Sequence, residues 1–143
     1  MQLHTASETI SFVKDLEERS AKFYEALSHK YAANKDLWLS LAKENRRFAA
    51  QIQRAYYSVI TDAIEGCFAF DLESEEHTIE TGLSENATYS DAVYMALSME
   101  KKIIEFYHTA ADQSMSLMAD VPRNFKMVTK KRSNRIDKLK SLL

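Results

Sequence analysis

This sequence has few of the residues that break helices or cross-link a chain. Its 143 residues include two glycines, one proline and one cysteine, so turn signals are sparse. The single cysteine, Cys67, excludes an internal disulfide framework and a four-thiolate metal site. No apolar run approaches the ~20 residues of a membrane span, and the N-terminal residues lack the hydrophobic region of a signal peptide. We expect one soluble, cytoplasmic domain over residues 1–143.

Four long stretches carry apolar residues at intervals of three and four, the spacing that puts them on one face of a helix. Alternation typical of strands is not convincing in any run. The spacing predicts helices over about 6–31, 35–63, 89–117 and 122–141, with a crossover over about 64–88. Short connections within each pair of helices predict two antiparallel hairpins joined by this long crossover. The expected fold class is therefore all-α, a four-helix bundle.

The predicted helix ends carry residues that favour starts and stops. Thr5 and Thr88 each begin a capping box, in which the hydroxyl accepts from a backbone N–H and an acidic residue three positions later bonds back. Pro122 fits a first helical turn. Gly66 is typical of the position just past a helix end, so we expect the second helix to end before it.

A repeated pattern places a carboxylate in the middle of two apolar stripes. Glu17 precedes Tyr24 by seven residues, and Glu100 precedes Tyr107 by the same interval. Because seven residues make two helical turns, each Glu shares the apolar face of its helix with the Tyr. An ionised carboxylate there is costly unless it has a partner. The pattern predicts buried glutamates that need a cation.

The fourth predicted helix supplies two cations on its own apolar stripe, Arg132 and Arg135. A guanidinium keeps its charge and can hold a carboxylate by two hydrogen bonds. When the four stripes are combined in a bundle, six residues share one layer, which we call the central layer: Glu17, Asn45, Phe48, Glu100, Arg132 and Arg135. We expect the two arginines to pair with the two glutamates, supported by the aromatic residues Tyr24 and Tyr107.

Over nearly the whole chain, this layout resembles the ferritin-like superfamily. The Glu-to-Phe-Tyr spacing, together with Leu41 and Ala42 in the second helix, is most similar to the rubrerythrin branch. In that family, one Glu from helix 1, one Glu from helix 3 and a Glu-x-x-His from each of helices 2 and 4 bind two irons. The resemblance implies a ferritin-like bundle and, in a complete family member, di-iron oxidoreductase activity.

The family's ligand pattern matches this chain at two of six positions, Glu17 and Glu100. Asn45 and Phe48 stand where the first Glu-x-x-His belongs, and Arg132 and Arg135 stand where the second belongs. Arginine has only N–H donors, whereas iron requires carboxylate or imidazole ligands. The cysteines of the family's rubredoxin module are missing too. We therefore expect a degenerate di-iron site and no cofactor.

Three functional interpretations follow from these observations. The first is a non-catalytic bundle with a structural, regulatory or partner-binding role, expected to be a homodimer that binds neither nucleic acid nor membrane. The second is a metal-binding oxidoreductase or iron-handling protein that uses Glu17 and Glu100 with ligands from outside the family site. Glu44 could replace Asn45 as a ligand only if the register of the second helix shifted by one residue, and Glu44 would then lie off the apolar stripe of that helix. The third is a polyanion-binding module that uses the basic fourth helix.

Other candidate groups favour simpler interpretations. There is no Lys or Arg between Arg54 and Lys101, and residues 65–91 are acidic. In this acidic segment, His77 has three acidic neighbours that could hold a metal with it: Glu73, Glu76 and Glu80. We nevertheless expect a solvated loop here. Cys67 has no base beside it in sequence and is expected to be inert. Exposed apolar area on the second and third helices is expected to form the homodimer interface, and its tyrosines are Tyr56, Tyr57 and Tyr94.

Overall fold

The computed structural model describes residues 1–59, 68–116 and 120–143. The described residues form four long helices and a two-stranded ribbon: β1 (Gln2–Thr5), α1 (Ala6–Lys30), α2 (Lys35–Val59), β2 (Phe68–Glu73), α3 (Tyr89–Gln113) and α4 (Asp120–Lys140), with 3-10 turns at Ser74–His77 and Ser114–Ser116. The predicted all-α class is confirmed. The predicted ends of the second and third helices, with Gly66 and Cys67, lie outside the described residues.

Both predicted capping boxes are present at helix starts. Thr5 Oγ1 accepts from the backbone N of Glu8 at 3.1 Å, and Glu8 Oε1 accepts from the backbone N of Thr5 at 3.1 Å. Thr88 and Asp91 exchange the same bonds at 3.1 and 2.9 Å. These bonds satisfy N–H groups that have no partner within the helix, so α1 and α3 begin where the sequence predicts.

The ribbon was not predicted from the sequence. Strand β1 pairs antiparallel with β2, placing Leu3 opposite Leu72 and Gln2 opposite Glu73. Both leucines are buried. A four-residue strand is too short for its alternation to stand out, and its partner is about half the chain away, so local spacing carries no signal of the pairing. The ribbon anchors the start of the crossover beside the start of α1.

The four helices pack in pairs, with α1 against α2 and α3 against α4, and α2 also packs on α4. The crossover lies over the seam between α1 and α3. Arg19 of α1 donates to the carbonyl of Ile79 at 3.4 Å, and His77 packs its ring 5.2 Å from that of Phe106 of α3. The opposite seam, between α2 and α4, has no such cover from the described part of the crossover.

The three tyrosines that sequence analysis grouped on one face differ in exposure, although the rings of Tyr56 and Tyr57 are only 5.4 Å apart. Tyr56 is buried, whereas Tyr57 and Tyr94 are each more than 60% exposed. The rings of Trp38 and Tyr89 lie 6.1 Å apart, which puts the start of α2 beside the start of α3. At ~1.5 Å per residue, Tyr57 is then ~28 Å further along α2, whereas Tyr94 is only ~8 Å further along α3. Tyr56 therefore does not add to an exposed face with Tyr57 and Tyr94, and homodimer formation stays a prediction.

Among the described helices, none combines the length and the apolar composition that spanning a membrane requires.

Candidate functional site

All six residues of the central layer lie in the bundle interior. Each of them is at most 4% exposed: Glu17, Asn45, Phe48, Glu100, Arg132 and Arg135. Their positions follow from helical spacing, because each lies three or four residues from buried apolar neighbours on its own helix. Arg132, for example, lies four residues after the buried Val128. The structure thus brings the sequence-predicted residues together.

Arg132 bridges the two buried glutamates. Its Nη1 donates to Glu100 Oε2 at 2.6 Å, and its Nη2 donates to Glu17 Oε2 at 2.5 Å. The same Nη2 lies 3.3 Å from Asn45 Oδ1, and Nε is buried without a hydrogen-bond partner. One guanidinium is therefore shared by two carboxylates from different helices, and it ties α4 to both α1 and α3.

Arg135 lies at the edge of the central layer, and all of its N–H groups donate hydrogen bonds. Nη1 donates to Asn45 Oδ1 at 2.5 Å and to Glu100 Oε1 at 3.1 Å. Nε and Nη2 donate to Glu44 Oε1 at 3.0 and 2.7 Å, and Nη2 also reaches the carbonyl of Leu41 at 3.2 Å. Glu44 is about one-third exposed, so it joins the layer from the surface. Sequence reasoning placed Glu44 off the stripe and missed this role.

The two tyrosine hydroxyls bond the glutamates in a reciprocal way. Tyr24 of α1 donates to Glu100 Oε1 of α3 at 2.6 Å, and Tyr107 of α3 donates to Glu17 Oε1 of α1 at 2.5 Å. Equal Glu-to-Tyr intervals on two antiparallel helices produce this exchange. With Arg132 and Arg135, all four carboxylate oxygens of the two glutamates accept a hydrogen bond.

Asn45 and Phe48 of α2 complete the surroundings of the guanidinium groups. The amide nitrogen of Asn45 donates to Ser20 Oγ at 2.9 Å, which leaves its oxygen free to accept from both arginines. The Phe48 ring centre lies 5.5 Å from the guanidinium carbon of Arg132 and 5.0 Å from that of Arg135. An aromatic face attracts a cation at this range, so Phe48 adds to the stabilisation of both charges.

The two glutamates have opposite pKa shifts although both are fully buried. Burial raises the pKa of Glu17, and Arg132, its one guanidinium contact, offsets that only in part. Burial also acts to raise the pKa of Glu100, but the charges of Arg132 and Arg135 outweigh it, and the net pKa is lowered. The directions agree with the contacts, because Glu100 bonds two guanidinium groups and Glu17 bonds one. Glu100 is the more strongly held carboxylate.

The remaining groups of the site are held in one protonation state. Burial acts to lower the pKa of Arg132, but Glu100 and Glu17 raise it by more, so this guanidinium stays charged. Burial, followed by the nearby carboxylates, raises the pKa of Tyr24 and Tyr107 well above the ordinary value. Both tyrosines are therefore neutral hydrogen-bond donors.

The donor set does not fit a di-metal centre. Arg132 lies between Glu17 and Glu100 and takes one oxygen of each, while tyrosines and Arg135 occupy the others. Neither Phe48 nor a guanidinium offers a lone pair to a metal. In residues 1–59, 68–116 and 120–143, no group of three or more His, Cys, Asp or Glu side chains is placed to hold a metal ion.

The acidic neighbours of His77 do not converge on it as ligands. Glu73 accepts from the N-terminal amine at 2.8 Å, and Glu80 accepts from the backbone N of Gly82 at 3.0 Å. His77 is itself mostly buried against Phe106, and burial lowers the pKa of its imidazole. Sequence analysis expected a solvated loop here. The structure instead uses His77 as a packing residue under the crossover.

The fold and site define a mainly α-helical bundle of two helix pairs with a buried ionic layer. Comparisons of the chain with protein-family models, with curated proteins and with solved structures find no match. The chemistry of the central layer and of the surface is therefore the basis on which a function can be proposed.

Proposed function

We propose that this chain is a non-catalytic bundle of the ferritin-like, rubrerythrin-related layout, in which guanidinium groups replace the metal pair and the protein acts by binding a partner. The paired packing of the helices and the crossover between the pairs support this layout. The observation that carries the proposal is the position of Arg132 between Glu17 and Glu100, with every carboxylate oxygen engaged.

The same layer offers no reactive group to a substrate. Glu17, Glu100 and Arg132 are fully buried, and each makes its bonds within the protein. The two tyrosines and Arg132 have pKa values shifted away from neutrality, and Glu17, whose pKa burial raises, is fully buried and bonded to Tyr107 and Arg132. A catalytic acid or base needs a pKa near the working pH and access to the substrate. These features support a structural role for the layer.

A buried ion pair adds little stability over a well-packed apolar core, yet breaking it by removing one partner costs ~3–5 kcal/mol. Arg132 makes bonds to α1 and α3 and lies near Asn45 of α2, so a shift of α4 along its axis would break them together. We infer that the layer fixes the register of α4. A fixed register of α4 gives the bundle a defined surface, which suits a protein that works through binding.

Metal analysis of protein purified from iron-containing medium tests the proposal. We expect far less than one iron per chain, because Arg132 occupies the position between the two glutamates. About two irons per chain, as in the complete family pattern, would contradict the proposal. So would a charge-transfer absorption band on addition of ferrous iron and oxygen, which would favour the metal-binding alternative.

A matched gain-of-function variant sharpens the test. Combining four changes restores the family's ligand types: Asn45→Glu, Phe48→His, Arg132→Glu and Arg135→His. We expect this variant to bind iron, whereas Arg132→Ala alone is expected only to lose stability. Circular dichroism with and without iron separates a variant that fails to fold from a folded one that does not bind.

A further inference from the structure

The seam between α2 and α4, on the side away from the crossover, forms an open groove with two adjoining parts. We call it the α2/α4 groove and define it by four cationic side chains, all exposed: Arg47, Arg54, Lys131 and Lys138. Buried apolar residues such as Phe48 and Leu41 form its floor. The groove is thus basic along its edges and apolar beneath.

The positive charge of this groove is not balanced from within. Two carboxylates line the groove, and each already has an arginine partner outside the four: Glu44 pairs with Arg135, which also lines the groove, at 2.7 Å, and Asp120 pairs with Arg123 at 3.3 Å. The ion pairs within 4.0 Å among the described residues involve none of the four cations that define the groove. Four cations without ion-pair partners therefore line one seam of a chain whose net charge is −2.

The spacing of the four charges favours an elongated anion over a compact one. Arg47 and Arg54 are two turns apart on α2, and Lys131 and Lys138 are two turns apart on α4, which separates each pair by ~10.5 Å. Charges spread in two rows do not converge on a single phosphate group. They match an elongated anion whose negative groups are distributed along its length.

The surroundings favour a polypeptide over a nucleic acid. Single-stranded nucleic acids bind to aromatic side chains on which the bases stack. The aromatic ring that lines the described groove, Phe48, is 1% exposed and already lies under the guanidinium groups of Arg132 and Arg135.

We propose that the α2/α4 groove binds an acidic, extended segment of a partner protein. This inference rests on the proposed function, since it names the surface and the partner chemistry of a partner-binding bundle. From Leu37 to Ala55 the groove follows α2 for ~27 Å, which accommodates about eight extended residues at ~3.3 Å each. Carboxylates on the segment pair with the four cations, and its backbone lies over the apolar floor.

Fluorescence anisotropy at low salt, with a labelled peptide of alternating glutamate and serine about ten residues long, tests the inference. The variant Arg47→Glu with Lys131→Glu is expected to weaken binding about tenfold or more, because two attractive pairs become repulsive. The matched control is Lys126→Glu with Lys130→Glu. It makes the same change in net charge on exposed residues of α4, at the seam with α3.

The outcomes separate the alternatives. Loss of binding in the groove variant but less than about threefold loss in the control supports the inference, since uniform electrostatic attraction would weaken both alike. Equal losses, no binding by the original protein, or tighter binding of an oligothymidylate than of the peptide would overturn it. Because none of these readouts involves metal, the groove can fail while the metal analysis still supports the proposed function.

Discussion

The bundle uses arginine in two opposite ways, and the contrast lies across a single pair of helices. Arg132 is fully buried and bonded to two carboxylates, whereas Arg47, on the outer side of the α2/α4 seam, is exposed and has no carboxylate within 4.0 Å among the described residues. Burial makes a charge dependent on its partners, because an unpaired charge in the interior is strongly disfavoured. Exposure leaves a charge free for an external partner. The same residue type is therefore held by internal partners at one site and exposed to solvent at the other.

The largest expected effect is on stability, at Arg132, the buried arginine of this comparison. Arg132→Ala removes the shared partner of Glu17 and Glu100 and should lower the free energy of unfolding by ~3–5 kcal/mol. Arg47→Ala, the exposed counterpart, should change it by less than ~0.5 kcal/mol. Urea unfolding of both variants and the original protein measures the difference. Equal effects would show that the buried pairs contribute no more than a surface arginine.

A second comparison distinguishes the two glutamates. Glu100 contacts both arginines, whereas Glu17 contacts one. Glu100→Gln loses one more hydrogen bond between charged groups than Glu17→Gln, and such a bond contributes ~1.5–3 kcal/mol. We expect Glu100→Gln to be the less stable variant by about that amount in urea unfolding. If Glu17→Gln were the less stable one, the assignment of Glu100 as the more strongly held carboxylate would be wrong.

A smaller effect is expected at the tyrosines. Tyr107→Phe leaves Glu17 Oε1 without a hydrogen-bond donor, and an unsatisfied buried acceptor costs ~1–3 kcal/mol. Tyr24→Phe leaves Glu100 Oε1 still bonded by Arg135 at 3.1 Å. Tyr107→Phe should therefore have the lower melting temperature. Identical melting temperatures would mean that Arg135 does not support that oxygen, which makes the pair of variants a direct probe of this contact.

Sequence spacing was sufficient for the parts of this structure that depend on one helix at a time. The four helices and the two capping boxes follow from local periodicity, and the buried ion pairs follow once the charged stripes of α1, α3 and α4 are combined in a bundle. The ribbon could not be predicted, because the pairing of Leu3 with Leu72 joins two distant short segments. The role of Glu44 was missed for a different reason. Its backbone is at the edge of the stripe, and its long side chain reaches Arg135 from there.

The α2/α4 groove also escaped sequence analysis, which saw the basic fourth helix as one unit. Lys131 lies in the groove, whereas Lys126 and Lys130 lie at the seam with α3. Which lysines share a surface depends on how α4 is rotated against its neighbours. The rotation that buries Arg132 and Arg135 is the one that leaves Lys131 exposed in the groove.

The smallest expected effect is the pH dependence, which separates the two glutamates by sign. The pKa of Glu100 is lowered in the folded protein, so its contribution to stability is present above the ordinary value of 4.5 and is lost as pH falls through the folded pKa. The pKa of Glu17 is raised, so its contribution is present below 4.5 and is lost as pH rises through the folded pKa. Urea unfolding from about pH 3 to 8 should show the stability advantage of the original protein over Glu100→Gln shrinking at low pH. Its advantage over Glu17→Gln should shrink as pH rises. Parallel trends for the two variants would show that both carboxylates are held equally, and that the number of guanidinium contacts does not decide their ionisation.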